Sequence, residues 1–245
     1  SKWTGTINKL IVGFDYTITG HAYKNDNGTD NNTTDNNSKA SLVAYYPFNG
    51  NANDESGNSR NLSENGSIQL TNDRFGNTNS AYIFDGTDDY FEFPQDASLN
   101  PTRFSFSAWV NASDNSTNWG TVLKSRNSHS GYNLYKSNQN TWQVWIGDGS
   151  SWTIIGSENV EINQWVHLVG TYDGSELKLY KNGNLNASDN SSFVVNAWKP
   201  LRIGAGKTNQ ETAGYYFNGV IDEVRIYNKA LSAAEIRDLY TSSFN

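Results

Sequence analysis

From Leu42 onward the chain consists of short segments of alternating apolar and polar residues, each cut off by glycine, asparagine or aspartate. That rhythm leaves little choice of fold. A period of two sends successive side chains to opposite faces of a strand, and segments this short between turn signals leave little room for helices. About thirteen such segments occur, from residues 42–48 to 219–228, which is the pattern of an all-β chain. Asp85-Gly86, Asp148-Gly149, Asp173-Gly174 and Asn182-Gly183 fall between them. These pairs favour hairpins because both residues tolerate positive φ. The expected fold class is therefore all-β: two packed antiparallel sheets in a jelly-roll β-sandwich.

Two regions depart from this rhythm. Leu231 to Tyr240 has helical spacing, and Ser232 with Glu235 three residues later forms a capping box, so one short C-terminal helix is expected. At the other end, two strand-like runs over residues 6–14 and 16–19 precede a stretch of Asn, Asp, Thr, Gly and Ser over 23–39 that has nothing to bury. The expected division is a strand-like appendage over 1–20, a polar linker over 21–41 and one sandwich domain over 42–245. The appendage reads either as the tail of an upstream domain or as a strand pairing onto a sheet edge. Asp26-Asn27-Gly28-Thr29-Asp30 has a faint look of a calcium loop, but linker is the better reading in so Asn-rich a stretch.

Composition narrows the chemistry. Apolar residues make up only 36%, yet aromatics reach 13%, enough to close a core because each ring buries a large area. Cysteine is absent, which excludes disulfides, thiolate metal sites and a Cys nucleophile. His21, His129 and His167 lie far apart, so a metal would need oxygen ligands, as calcium does. A net charge of −7 without a basic stripe argues against nucleic acid as a partner. No apolar run approaches the roughly 20 residues of a membrane helix, so membrane insertion is not expected. The chain opens without methionine and reads as a fragment of a larger protein.

Specific motifs add a resemblance. Tyr46-Pro47-Phe48-Asn49-Gly50-Asn51-Ala52-Asn53-Asp54-Glu55-Ser56-Gly57-Asn58 resembles the opening strand and loop of bacterial laminin-G-like domains of the concanavalin A-like lectin/glucanase type. Phe84-Asp85-Gly86-Thr87-Asp88-Asp89-Tyr90, Phe104-Ser105-Phe106-Ser107-Ala108-Trp109-Val110 and Trp165-Val166-His167-Leu168-Val169-Gly170-Thr171-Tyr172 follow in the family's order. The run from Phe217-Asn218-Gly219-Val220-Ile221-Asp222-Glu223-Val224 to Ser232 is the most specific piece. The resemblance covers Leu42 to Tyr240. It implies a secreted or cell-surface bacterial module that binds glycans or proteins as part of a larger multidomain protein, here expected to be a monomer.

Three chemistries follow for weighing. Calcium would be structural and held by Asn49 and Asp54 of the first loop, with Asp222 brought near if first and last strands are neighbours. The bland alternative is that Asp54 forms an Asx-turn and Asp222 bonds backbone amides. For catalysis, the acids cluster in turns rather than alternating along a strand, and Asp222-Glu223 are adjacent and so point oppositely. His167 reads as a structural sheet residue. Hydrolase and lyase readings are therefore remote. For glycan binding, alternation sorts the middle strands: Tyr132 and Leu134, then Trp142, Val144 and Ile146, face the core. That leaves Asn133, Tyr135, Gln143 and Trp145 outward, and Lys124 and Arg126 on the same face if Leu123 is core. His129, Trp119 and Trp152 add to it from neighbouring loops. Rings for stacking, an amide and cations suit a polysaccharide, and an anionic or sulfated one in particular, since arginine forks such groups. The rival is a protein-interaction or adhesin domain, with the aromatics as ordinary cross-strand pairs. Trp109 and Trp165 are expected to be structural.

Overall fold

The computed structural model describes residues 7–11, 14–18, 41–114, 118–206 and 212–241. The chain divides into two units, residues 1–39 and 40–245. In the first, β1 (Ile7–Ile11) and β2 (Phe14–Ile18) form an antiparallel hairpin with Ile7 opposite Ile18. The stretch expected as a linker, 23–39, and its loop Asp26–Asp30 lie outside the described residues.

The second unit is a sandwich of two antiparallel sheets. One runs from edge to edge as β12 (Trp152–Asn159), β11 (Thr141–Gly147), β10 (Ser130–Lys136), β9 (Gly120–Asn127), β16 (Leu201–Ile203), β7 (Tyr90–Phe93) and β4 (Ser63–Asn65). The other runs as β15 (Asn184–Asn190), β14 (Glu176–Lys181), β13 (Trp165–Tyr172), β8 (Phe104–Ala112), β17 (Asn218–Tyr227), β6 (Ala81–Asp85) and β5 (Gln69–Thr71). Its eighth strand, β3 (Leu42–Tyr46), pairs with β17. First and last strands of the sandwich are thus antiparallel neighbours, as expected of a jelly roll.

The inward faces meet in an aromatic core. Tyr132 packs against Phe104 and Phe106 with ring centroids 4.9 and 5.2 Å away, and its hydroxyl donates to Leu99 O at 2.6 Å. Trp142, Leu134, Val144 and Ile146 join them, so the predicted core face of β10 and β11 is the observed one. On β9 both Val122 and Leu123 are in the core, which strict alternation forbids. A bulge between Leu134 and Tyr135 resolves this: Leu134 faces Leu123, but Tyr135 faces Thr121. The extra residue re-aims the strand, leaving Lys124 and Arg126 outward as on a regular strand.

The turns follow local chemistry. Asn182 and Gly183 adopt φ of 51° and 76°, the left-handed pair an Asn-Gly hairpin requires. Two strands escaped the sequence reading, β4 and β15. Residues 184–190 read Asn-Leu-Asn-Ala-Ser-Asp-Asn, without apolar alternation, because β15 is an edge strand that pairs only on one side. The expected helix is α1 (Ala233–Thr241). Its capping box closes reciprocally: Ser232 N donates to Glu235 Oε2 at 2.8 Å, and Glu235 N to Ser232 Oγ at 3.3 Å. Ile236 packs on Val169, Tyr180, Tyr227 and Leu231, on the side of the eight-stranded sheet turned away from the core. Among the described residues no helix is long and apolar enough to cross a membrane.

Candidate functional site

The outward face of the seven-stranded sheet collects the predicted residues through register alone. Asn133 lies opposite Lys124 on one side and Trp145 on the other, and Tyr135 lies opposite Gln143. Gly131 lies opposite Arg126, where a Cβ would stand 2.0 Å from Ser125 O, so the close approach of these strands needs glycine. Across the next ladder Lys124 faces Arg202, and Arg202 faces Glu92. Arg202 and Glu92 were not singled out from the sequence. Their signal was available only as alternation within β16 and β7, whose neighbour β9 comes from elsewhere in the chain.

The six predicted residues separate into a floor and a rim. Lys124, Arg126, Asn133 and Tyr135 are all buried, whereas Gln143 and Trp145 are half-buried. Tyr135 was expected as a stacking platform, but at 2% exposure it is part of the floor. Trp119 and Trp145 close over it edge-on, with centroids 5.6 and 5.5 Å from its ring. Its hydroxyl donates to Asn133 Oδ1 at 3.1 Å and receives Arg126 Nη1 at 3.3 Å. Arg126 lies 4.3 Å over the Trp152 ring. Trp145 Nε1 donates to Gln143 Oε1 at 2.9 Å, which fixes the indole's rotation. Trp119, Trp145 and Trp152 are all half-buried, and His129 sits 5.9 Å from Trp152, so the loop residues named beside the six do gather there.

Trp119 also borders a cleft that sequence reasoning missed. About 300 Å³ of open space is lined by Gly86, Asn118, Trp119, Asn138, Tyr215 and Tyr216. Beside it, about 140 Å³ reaches Lys136 and Asp114, which pair at 3.5 Å. The only available signal was the Tyr215-Tyr216 doublet in a polar loop.

The floor is electrostatically lopsided. Arg202 Nε pairs with Glu92 Oε2 at 2.6 Å. Neither Lys124 nor Arg126 has a carboxylate within 4 Å among the described residues, and Arg126 Nε and Asn133 Nδ2 are buried without an acceptor. Burial first, then Arg202, Arg126 and Lys199, push the Lys124 ammonium down to about 7, with only Glu92 pulling the other way.

The residues proposed for calcium are committed elsewhere. Asp54 Oδ1 accepts the amides of Tyr45 and Ser56 at 3.0 and 2.9 Å, and Oδ2 accepts that of Arg60 at 3.0 Å. Against the upward push of burial, Ser56 and those amides hold its carboxyl below the usual range. Asp222 Oδ2 pairs with buried Arg74 at 3.1 Å on the outward face of the eight-stranded sheet, and Asn49 is exposed. Although β3 and β17 are neighbours as expected, the two carboxylates serve different partners, and this donor set does not fit calcium. The acids that do converge are Asp85, Asp88 and Asp89. There Asp85 and Asp89 accept the amides of Thr87, Ser67 and Asp85, as turn residues do.

Catalytic geometry is likewise not assembled at His167. It is fully buried, 5.1 Å from the Trp109 ring and 6.2 Å from that of Tyr240, and neither ring nitrogen has a hydrogen-bond partner. Burial pushes its imidazole down to about 3. Ser107 and Asp222 share this face, but Ser107 Oγ is buried without a partner, so no nucleophile–base contact exists there. Trp109 is structural, as expected, though it is buried under α1 rather than between the sheets.

Solved structures share this architecture. The binding domain of Paraclostridial Mosquitocidal Protein 1 aligns with a TM-score of 0.70 and 17% identity, over 84% of this chain and 53% of that one. A structure titled for cell entry of botulinum neurotoxin type C through two ganglioside molecules aligns at 0.65 and 17%, over 85% and 53%. The binding domain of botulinum neurotoxin DC in complex with rat synaptotagmin II aligns at 0.65 and 16%, over 84% and 52%. The chain thus spans about half the length of each, and identities this low show the fold alone. No curated protein matches it. The family described as the concanavalin A-like lectin/glucanases superfamily matches residues 85–237, more than half of the sequence and most of both sheets; the chain belongs to that family, in its laminin-G-like branch.

Proposed function

We propose that this chain is a glycan-binding module of a larger extracellular protein, and that its ligand lies along the outward face of the seven-stranded sheet. One observation carries the reading: Trp119 and Trp152 stand half-buried on either side of Trp145, each in ring contact with it, above a floor of hydrogen-bond donors. Sugar rings present C–H-rich faces that stack on aromatic planes and hydroxyls that need fixed polar partners. A half-buried apolar surface with few oriented polar groups suits such a ligand. Gln143 holds the Trp145 indole in one orientation, so less order is lost on binding. Individual affinity need not be high, since attachment to a larger protein supplies effective concentration.

Affinity electrophoresis through gels containing neutral, uronic-acid and sulfated polysaccharides tests this. Retardation by at least one polymer, lost in Trp145→Ala while the fold is retained, is the expected result. Free migration through every polymer would leave the reading without support.

A second reading, docking of a protein, is favoured by Trp198, which is 77% exposed on the loop before β16, with Val194 nearby at 42%. A large exposed indole is the kind of anchor that protein interfaces use. Trp198→Ala separates the two readings, because it should leave glycan retardation unchanged.

A further inference from the structure

Three side chains on the sheet floor keep hydrogen-bonding capacity that the described residues do not use. Lys124, Asn133 and Arg126 are outward residues of β9 and β10, with Lys124 directly opposite Asn133 and Arg126 two residues along the same strand. Asn133 Nδ2 and Arg126 Nε are buried without an acceptor. Lys124 has no carboxylate within 4 Å among the described residues, although only 2% of it is exposed. Its cross-strand neighbour on the far side is Arg202, a like charge, and directly opposed like charges destabilise a sheet. Buried donors are normally satisfied, and a buried ammonium without a counter-ion is costly. Arg126 and Asn133 keep partners in Tyr135 and Ser128, but Arg126 Nε, Asn133 Nδ2 and the Lys124 ammonium are left over, and a multi-acceptor anion among them would use all three.

We infer that Lys124, Asn133 and Arg126 form an oxyanion subsite, which takes the sulfate or carboxylate substituent of an acidic saccharide whose rings lie on the tryptophan rim. This rests on the glycan reading above and names its ligand class. A sulfate or carboxylate offers several acceptor lone pairs within a few ångströms, which matches one ammonium, one amide and one guanidinium edge. The rim and floor adjoin, since Trp145 lies opposite Asn133 and Trp152 stacks on Arg126. One substituted sugar can therefore meet both. The groups facing Lys124 are Arg126 on its own strand, Asn133 on β10, Arg202 on β16 with its partner Glu92 on β7, and Lys199 before β16. Glu92 is the one anion among them, so anion binding should tighten as pH falls toward the range in which Lys124 is charged.

The test uses the full chain, Lys124→Met and Asn133→Leu, with two probes. In the first arm, thermal unfolding is followed with sodium sulfate against sodium chloride at equal ionic strength, at pH 6. The wild type should gain more from sulfate than Lys124→Met does, the variant serving as control for sulfate's general salting effect. In the second arm, affinity is measured for heparin, polygalacturonate and a neutral galactan. Binding to one acidic polymer should drop by about tenfold in Lys124→Met, the loss of one charge-assisted contact, and fall in Asn133→Leu. An equal sulfate increment in wild type and Lys124→Met overturns the subsite whether or not any glycan binds. So does equal binding of neutral and acidic polymers that survives Lys124→Met but fails in Trp145→Ala, and that outcome leaves the glycan reading standing. A sulfate increment confined to the wild type, with no polymer bound, supports the subsite and counts against the glycan reading instead.

Discussion

Both outward faces of the sandwich bury charged side chains, and they balance them differently. On the eight-stranded sheet, Arg74 pairs with Asp222 at 3.1 Å and approaches Glu223 at 4.0 Å, while Arg225 pairs with Glu223 at 2.5 Å. Arg74 lies 4.5 Å over the Trp109 ring, and Trp109 and His167 stack beneath Tyr240 of α1. Every guanidinium in that cluster has its carboxylate at hand. On the seven-stranded sheet, Lys124 and Arg126 have none among the described residues. The first face is closed by the chain itself. The second is incomplete in charge, which is the physical ground for expecting its counter-ion from outside.

The largest expected effect comes from unbalancing the closed face. At about pH 9, where Asp222 is charged, Arg74→Met leaves that carboxylate buried without its partner, and stability should fall by about 3 kcal/mol, read from denaturant midpoints. If the loss is under about 1 kcal/mol, the closed face is held by ring stacking rather than by charge. Burial and the Glu223 carboxylate push Asp222 up to about 8 against the pull of Arg74, so this acid binds a proton on folding between about pH 4 and pH 8. Its contribution therefore weakens as pH rises across that window.

The open face should respond in the opposite sense. Lys124→Met removes a buried ammonium and should raise stability by about 1–2 kcal/mol at pH 6. The native ammonium titrates near 7 in the folded chain and near 10.5 when unfolded. In between, the unfolded chain binds the extra proton, so wild-type stability rises with pH and the variant's advantage shrinks toward pH 10. Melting curves of both proteins at pH 6, 8 and 10 check this. A constant advantage would mean that packing, not charge, separates them. The smallest effect should come from the cover of the closed face: Ser232→Ala removes half of the capping box and should cost about 1 kcal/mol. Helix-specific hydrogen exchange would show whether α1 frays alone or takes the Trp109 stack with it.

Much of the candidate site was legible in the sequence because sheet geometry is local. Asn133, Tyr135, Gln143 and Trp145 share a face since alternation has period two, and the observed ladder pairs them accordingly. What alternation does not carry is depth. It could not tell that Trp119 and Trp145 cover Tyr135, turning an expected platform into a floor. Nor could it place the calcium residues. Asp54 is within reach of its own loop's amides, a contact its Asx-turn reading anticipated, and it accepts from them. The bulge on β9 shows the same limit: Val122 and Leu123 are both apolar, and only the pairing partner decides which residue is the extra one.

By itself, then, the sequence determined the fold class, the order of most strands along the chain, the helix with its cap, and the face of strand residues away from the bulges in β9 and β17. These follow from steric periods and turn chemistry that act over a few residues. Tertiary structure alone decided which strands became neighbours, and so which charges met. Arg202 reached Lys124, and Arg74 reached Asp222, through pairings between distant segments. Such contacts depend on how whole sheets pack and on which loops close, and no local pattern encodes the balance of charge that results.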